Sequence, residues 1–121
     1  MRIFKSYQIE AAHYLPNVSD DHKCKRLHGH SFRVEIHVSG DVGEQSGWVT
    51  DFAEISLVFR PVFEALDHRC LNEVEGLENP TSENLAAWIW RRIEAELPGL
   101  AKIVVLETPS SGCEYAGPGL E

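Results

Sequence analysis

The sequence predicts an α+β sandwich, a four-stranded antiparallel sheet with two helices on one face, in the order ββααββ. Three observations predict it. Residues 3–13 and 30–39 alternate apolar and polar side chains with the period of a half-buried strand. Residues 55–66 and 85–97 instead repeat their apolar side chains at helical spacing. Residues 101–108 then return to a β-branched, apolar run. The whole of 1–121 is expected to form one domain, because 121 residues bury one modest core.

The first strand places Ile3, Tyr7, Ile9 and Ala11 on one parity, with Lys5 as the exception. His13 continues that parity at the far end. Residues 14–27 contain Pro16, Asn17, Ser19, Asp20 and Asp21 and read as a loop, long for a hairpin connection. In the second strand Phe32, Val34, Ile36 and Val38 alternate with Arg33, Glu35, His37 and Ser39, and His28 and His30 extend the apolar parity backwards. If the two strands pair antiparallel, His13 ends one where His28 and His30 begin the other, and all three share a face. A bulge at Gly29 would break that register.

Residues 40–47 form a polar turn region. Asp51-Phe52-Ala53-Glu54 resembles a capping box with Asp as the cap. Ile55, Val58, Phe59, Val62, Phe63 and Leu66 make the apolar face of a helix, and Pro61 within it predicts a kink or early weakening. After a loop over 72–80, Thr81 or Ser82 caps a second helix with Glu83 in its first turn. Its stripe of Leu85, Trp88, Ile89, Ile93 and Leu97 runs to a stop at Pro98-Gly99. Trp88 and Trp90 read as core or interface filling. Residues 109–112 turn the chain, and 113–116 suggest a short last strand. The thin sheet leaves open edges, a liability that edge-to-edge association into an oligomer removes.

Apolar content of 43% and charged content of 25% are those of a globular chain rather than a disordered one. A net charge of −8 argues against a general nucleic-acid or membrane surface. No apolar run approaches the roughly 20 residues of a membrane span, and the first residues lack a secretory leader's apolar stretch. With three cysteines, the expected setting is a reducing cytoplasm.

Three neutral imidazoles with an open fourth position form the donor set of a catalytic zinc site, so His13, His28 and His30 are the candidate metal ligands. A structural zinc closed by Cys24 is the alternative within the metal reading. His22 and His37 read as surface or core residues. Cys24 lies among Lys23, Lys25 and Arg26, a setting that favours a thiolate and a role as acid or base. Cys70 and Cys113 have no such neighbours and read as structural. In Asp67-His68 a carboxylate next to an imidazole suits a proton relay, if the two side chains touch. Glu107 is out of character in an apolar strand. It can accept two hydrogen bonds from the amidine-like edge of a guanine or pterin, or stand as a surface carboxylate.

The segments Ile9-Glu10-Ala11-Ala12-His13, Cys24-x-x-x-His28-Gly29-His30, Leu66-Asp67-His68, Asn79-Pro80-Thr81-Ser82-Glu83-Asn84 and Glu107-Thr108 follow one another along nearly the whole chain. In that order they resemble the 6-pyruvoyl-tetrahydropterin synthase family, and most of all its bacterial branch, which makes 6-carboxy-tetrahydropterin for queuosine biosynthesis. Ile9 stands where Phe is common. Three residues separate Cys24 from His28, as in that branch. The animal members look to have a longer spacer, and another bacterial variant carries glutamate in place of the cysteine.

The resemblance implies a T-fold, with trimers closing a barrel and two trimers stacking into a hexamer whose active sites lie at subunit boundaries. It implies zinc on His13, His28 and His30, and a proton-transfer set of Cys24, Asp67 and His68. Glu107 is implied to anchor the pterin ring, with Thr81 and Ser82 helping to hold it. The implied substrate is 7,8-dihydroneopterin triphosphate. The implied products are 6-carboxy-5,6,7,8-tetrahydropterin, acetaldehyde and triphosphate, from a carbon–carbon lyase. Lys23 and Arg26 are candidates to meet the triphosphate on charge alone. The alternatives are a 6-pyruvoyl product, cleavage of another pterin side chain, or a non-enzymatic interaction module with structural zinc.

Overall fold

A computed structural model describes residues 1–119. Strand β1 (Arg2–His13) and strand β2 (His28–Ser39) pair antiparallel without interruption, from Arg2 opposite Ser39 to His13 opposite His28. Ala12 pairs with Gly29 and Ala11 with His30, so no bulge interrupts the register at Gly29. Strand β3 (Leu100–Thr108) pairs with β2, and strand β4 (Ser111–Tyr115) with β3, giving the sheet order β1-β2-β3-β4. The register of β2 against β3 shifts between His37 and Val38 instead. The last strand starts at Ser111, two residues before the expected 113, because a tight turn at Pro109 and Ser110 lets pairing begin at once.

One face of the sheet is covered by helix α1 (Phe52–Leu66) and helix α2 (Ser82–Ile93). Ile9, Phe32, Val34, Ile36, Ile103 and Val105 from the strands are buried against Ile55, Phe59, Leu66, Leu85, Ile89 and Ile93 from the helices. Apolar burial of this kind contributes about 25 cal/mol per Å², and this layer supplies most of the driving force. Lys5 also points to the helix side, and its Nζ donates to Ser56 Oγ at 2.5 Å. Its charge thus sits at the margin of the core, held by a hydroxyl of α1. Trp88 and Trp90 are buried, as expected of core residues.

The early weakening expected at Pro61 and the expected length of the second helix need correction. Helix α1 runs through Pro61 without a break. Pro61 lies on the exposed side of the helix, where the Leu57 carbonyl that loses its donor can turn to water. Helix α2 ends at Ile93, a turn earlier than the apolar stripe suggests, although Leu97 remains buried. The chain leaves it through Gly99, whose φ of +84° is left-handed. A side chain there would put its Cβ 2.5 Å from the Ser39 carbonyl oxygen. That close approach lets Ser39 N donate to Gly99 O and ties the start of β3 to the end of β2.

At the α1 N-terminus Asp51 Oδ1 accepts from Ala53 N at 2.9 Å, so the aspartate caps as expected. No helix among the described residues is long and apolar enough to cross a membrane.

Phe59 is 1% exposed and packs against Tyr7 of β1, the two rings tilted with centroids 4.5 Å apart. Phe59→Ala is expected to cost about 3–5 kcal/mol. The measurement is urea unfolding, which should show a lower midpoint with an unchanged slope.

Candidate metal centre

The strand register decides where the imidazoles lie. His13 faces His28 directly across the ladder, and His30 follows two residues on, opposite Ala11. Because side chains alternate, all three project to the helix-covered face. Their ring centroids are 4.7 Å apart for His13–His28 and His28–His30, and 5.0 Å for His13–His30. Phe32, the next core residue along β2, meets both His13 and His30 edge-on at 5.4 Å. The core therefore supports the imidazole cluster from beneath.

Each of the three imidazoles offers a ligand atom, and these atoms all lie within 4.8 Å of one another. The second nitrogens fix which atom that is. His13 Nδ1 lies 2.9 Å from the Pro80 carbonyl and His28 Nδ1 lies 2.7 Å from the Arg26 carbonyl. A carbonyl only accepts, so both Nδ1 atoms carry the proton and both Nε2 atoms carry a lone pair. The Nε2 atoms of His13, His28 and His30 are all buried and without a hydrogen-bond partner. Leaving such an atom unpaired costs about 1–3 kcal/mol, and a metal ion of the borderline type that imidazole prefers would satisfy all three. Burial also pushes His13 below the usual histidine range, with help from the neighbouring imidazoles, so it stands as a neutral ligand near pH 7. The donor set fits a metal.

Glu107, near the end of β3, turns toward the same point. Its Oε1 lies 3.3 Å from His13 Nε2 and 3.4 Å from His30 Nε2. Its Oε2 accepts from Ser82 Oγ at 3.5 Å. Thr81 rather than Ser82 caps α2, accepting from Asn84 N through its hydroxyl. Ser82 is buried instead and faces Glu107. The metal half and the candidate ring-binding half, Glu107, Ser82 and Thr81, are thus adjacent within one chain.

Asp67 and His68 do touch: His68 Nδ1 donates to Asp67 Oδ2 at 2.7 Å. They lie along the outer edge of β1, and none of their described hydrogen bonds reaches the imidazole cluster or Cys24. His68 has φ +59°, the one left-handed non-glycine among the described residues. Strain of that kind costs on the order of 1–3 kcal/mol and persists only where surrounding bonds hold it. Here His68 N donates to Glu10 O at 2.6 Å and Asp67 Oδ1 accepts from Glu10 N at 3.0 Å. That bond and the His68 imidazole hold the Asp67 carboxyl below the usual range. With His68 Nδ1 engaged, the largely exposed ring presents Nε2 outward.

Cys24 sits in a single turn of 3-10 helix at 23–25 and is not part of the imidazole cluster. His22 caps that turn through Nδ1, accepting from Cys24 N, and Leu15 N donates to Cys24 O. Of the three cations expected around the thiol, Lys25 turns away. Its Nζ donates to the Pro16 and Val18 carbonyls and pairs with Asp20 at 3.2 Å, so it braces the loop. Lys23 and Arg26 remain exposed.

Two supporting groups were not anticipated. Asn72 accepts from Tyr14 N and donates to Tyr14 O, an amide acting as a strand partner for the residue after His13. The Pro80 carbonyl that orients His13 comes from the loop before α2. Neither carries a sequence signal, because an amide clamp and a backbone acceptor depend on how distant segments meet.

Together these features define an α+β sandwich with a cluster of three histidines, fit to hold a metal, beside a carboxylate. A sequence model of 6-pyruvoyl tetrahydropterin synthase matches residues 2–118, and the chain belongs to that family. Among its relatives is the 6-carboxy-5,6,7,8-tetrahydropterin synthase of Synechocystis sp., 44% identical and aligned over 98% of this chain and 95% of that protein. Another is the dihydroneopterin monophosphate aldolase of Pyrococcus furiosus, 38% identical over 84% of this chain and 82% of that protein. The solved structure of Caenorhabditis elegans 6-pyruvoyl tetrahydropterin synthase superposes with a TM-score of 0.88 at 28% identity, covering 97% of this chain and 95% of that one.

A carboxyl group held below its usual range stabilises the fold above the unfolded pKa, and that stabilisation is lost as pH falls through the folded pKa. For Asp67 the loss therefore falls below about pH 4. Thermal melts from pH 7 to pH 3 should show a smaller acid-side drop in Tm for Asp67→Asn than for the unaltered chain.

Proposed function

We propose that the protein is a zinc-dependent carbon–carbon lyase. In this reading it converts 7,8-dihydroneopterin triphosphate and water to 6-carboxy-5,6,7,8-tetrahydropterin, acetaldehyde and triphosphate, within queuosine biosynthesis. The observation that carries the reading is the convergence of three buried, unpartnered Nε2 atoms beside the Glu107 carboxylate. The name of the Synechocystis relative, a 6-carboxy-5,6,7,8-tetrahydropterin synthase, supports the choice of product.

His13, His28 and His30 hold the zinc. When bound, it supplies Lewis-acid polarisation of the substrate's side-chain oxygens. Glu107 receives the amidine-like edge of the pterin ring, with Ser82 and Thr81 alongside. The Cys24 thiol and His68 Nε2 exchange protons with the three-carbon side chain. Asp67 keeps the His68 proton on Nδ1, so Nε2 is free to accept one. Lys23 and Arg26, exposed neighbours of Cys24 along the chain, meet the triphosphate in this reading on their charge.

Cys24 and the Asp67–His68 pair lie on different segments of the chain, and the pair faces outward from the edge strand. A hexamer built as two trimers reconciles them, with each active site completed across a subunit boundary. The two edge strands, β4 and the part of β1 before Glu10, are the surfaces such a trimer would join. Three free cysteines suit a reducing cytoplasm. The Pyrococcus relative, a dihydroneopterin monophosphate aldolase, favours a second reading, aldol-type cleavage of the side chain of a dihydroneopterin phosphate.

Mass spectrometry of the reaction with 7,8-dihydroneopterin triphosphate tests the proposal. The expected result is 6-carboxy-tetrahydropterin and acetaldehyde, abolished by a chelator and restored by zinc. A 6-pyruvoyl product, or a hydroxymethyl pterin with the phosphates retained on the released fragment, would replace this reading with one of the alternatives.

A further inference from the structure

Glu107 occupies a position that ring recognition alone does not explain. In a tetrahedral site with metal–ligand bonds of about 2.0–2.1 Å, neighbouring ligand atoms are separated by about 3.3–3.4 Å. Glu107 Oε1 is 3.3 Å from His13 Nε2 and 3.4 Å from His30 Nε2, and neither pair is aligned as a hydrogen bond. Because His13 Nδ1 faces a carbonyl, its Nε2 presents a lone pair toward a carboxylate oxygen. Electron-rich atoms held this close with no hydrogen bond between them are reconciled by a cation that lies beside both.

The backbone pairing is irregular where this side chain leaves it. Pairing of β2 with β3 ends at Arg33 opposite Leu106, and the β3–β4 register shifts between Leu106 and Thr108. Glu107 therefore falls at a ladder irregularity, the kind of position that re-aims a side chain near a site. Its second oxygen already has a partner away from the cluster, the buried Ser82 hydroxyl.

We infer that Glu107 is the fourth metal ligand of the substrate-free protein, and that it leaves the metal when a pterin ring claims its carboxylate. The first half stands on the geometry of this chain, and the second rests on the pterin reading above. One oxygen cannot serve both partners at once, so ring binding uncovers the metal position that the substrate's side chain needs. A resting site closed by carboxylate would also exclude competing anions until the ring is seated.

Cobalt(II) titrated into metal-free protein, with no pterin present, tests the first half through affinity and the visible absorption of the bound ion. Glu107→Gln is expected to weaken cobalt binding at least about tenfold and to change the spectrum. Glu107→Asp keeps the charge but draws the oxygen back, and should lose affinity to a similar degree. Circular dichroism of the metal-free variants establishes that they are folded. Unchanged affinity in Glu107→Gln overturns the inference. So does full affinity in Glu107→Asp, which would mean that charge alone is at work. Neopterin is then added to the unaltered cobalt protein and its binding followed by its own fluorescence. Bound neopterin should move the cobalt spectrum toward that of Glu107→Gln. Bound neopterin with an unmoved spectrum overturns the release. Absence of neopterin binding removes the pterin reading and the release with it, while the cobalt affinities still decide the fourth ligand.

Discussion

The in-register pairing of β1 with β2 is the interaction on which the rest of the molecule depends. Twelve residues of each strand pair without a slip, and the last pair is His13 with His28. A shift by one residue would send each strand's apolar side chains to the opposite face and would scatter the three imidazoles. The forces that bury Ile9, Phe32, Val34 and Ile36 are thus the forces that assemble the three imidazoles. The histidines lie on the apolar parity because they continue it, and Phe32 joins the two functions by packing beneath both His13 and His30.

A second constraint acts on the outer edge of β1. Residues 67–72 run beside it, from the bonds of Asp67 and His68 to Glu10, through Ala12 N to Arg69 O, to the Asn72 amide against Tyr14. This short parallel addition fixes the Asp67–His68 pair relative to the strand that ends in His13. It also covers the end of an edge whose earlier residues stay available for pairing. The left-handed backbone of His68 is sustained by this stitching, so strain at the candidate proton relay is offset by bonds spread over several residues.

What could be read from the sequence follows from how local each signal is. Strand parity placed His13, His28 and His30 together, because period-2 alternation is a property of the backbone and survives in any antiparallel hairpin. The helices and their caps were equally legible, since Asp51 and Thr81 act on amides two or three residues away. Residues whose role depends on distant partners were harder to read. Lys25 reads as a cation for Cys24 but bonds the Pro16 and Val18 carbonyls, because the loop folds back on itself. Asn72 reads as a loop residue until Tyr14 lies against it. Pro61 should weaken α1 early, yet the helix continues past it to Leu66, because Pro61 lies on the exposed side. Glu107 was conspicuous by its polarity, yet its direction toward the imidazoles depends on where the β3 ladder ends.

The opening half of the stretch over residues 24–30 belongs to a loop turn and the closing half to the strand pair, so thiol and imidazoles that look like one motif are two devices. Bound metal per chain, measured side by side for the His13→Ala and Cys24→Ala proteins, tests this division most directly. His13→Ala is expected to retain essentially no metal, while Cys24→Ala stays folded with a full complement. Loss of metal and fold in Cys24→Ala, or full retention in His13→Ala, would contradict the division.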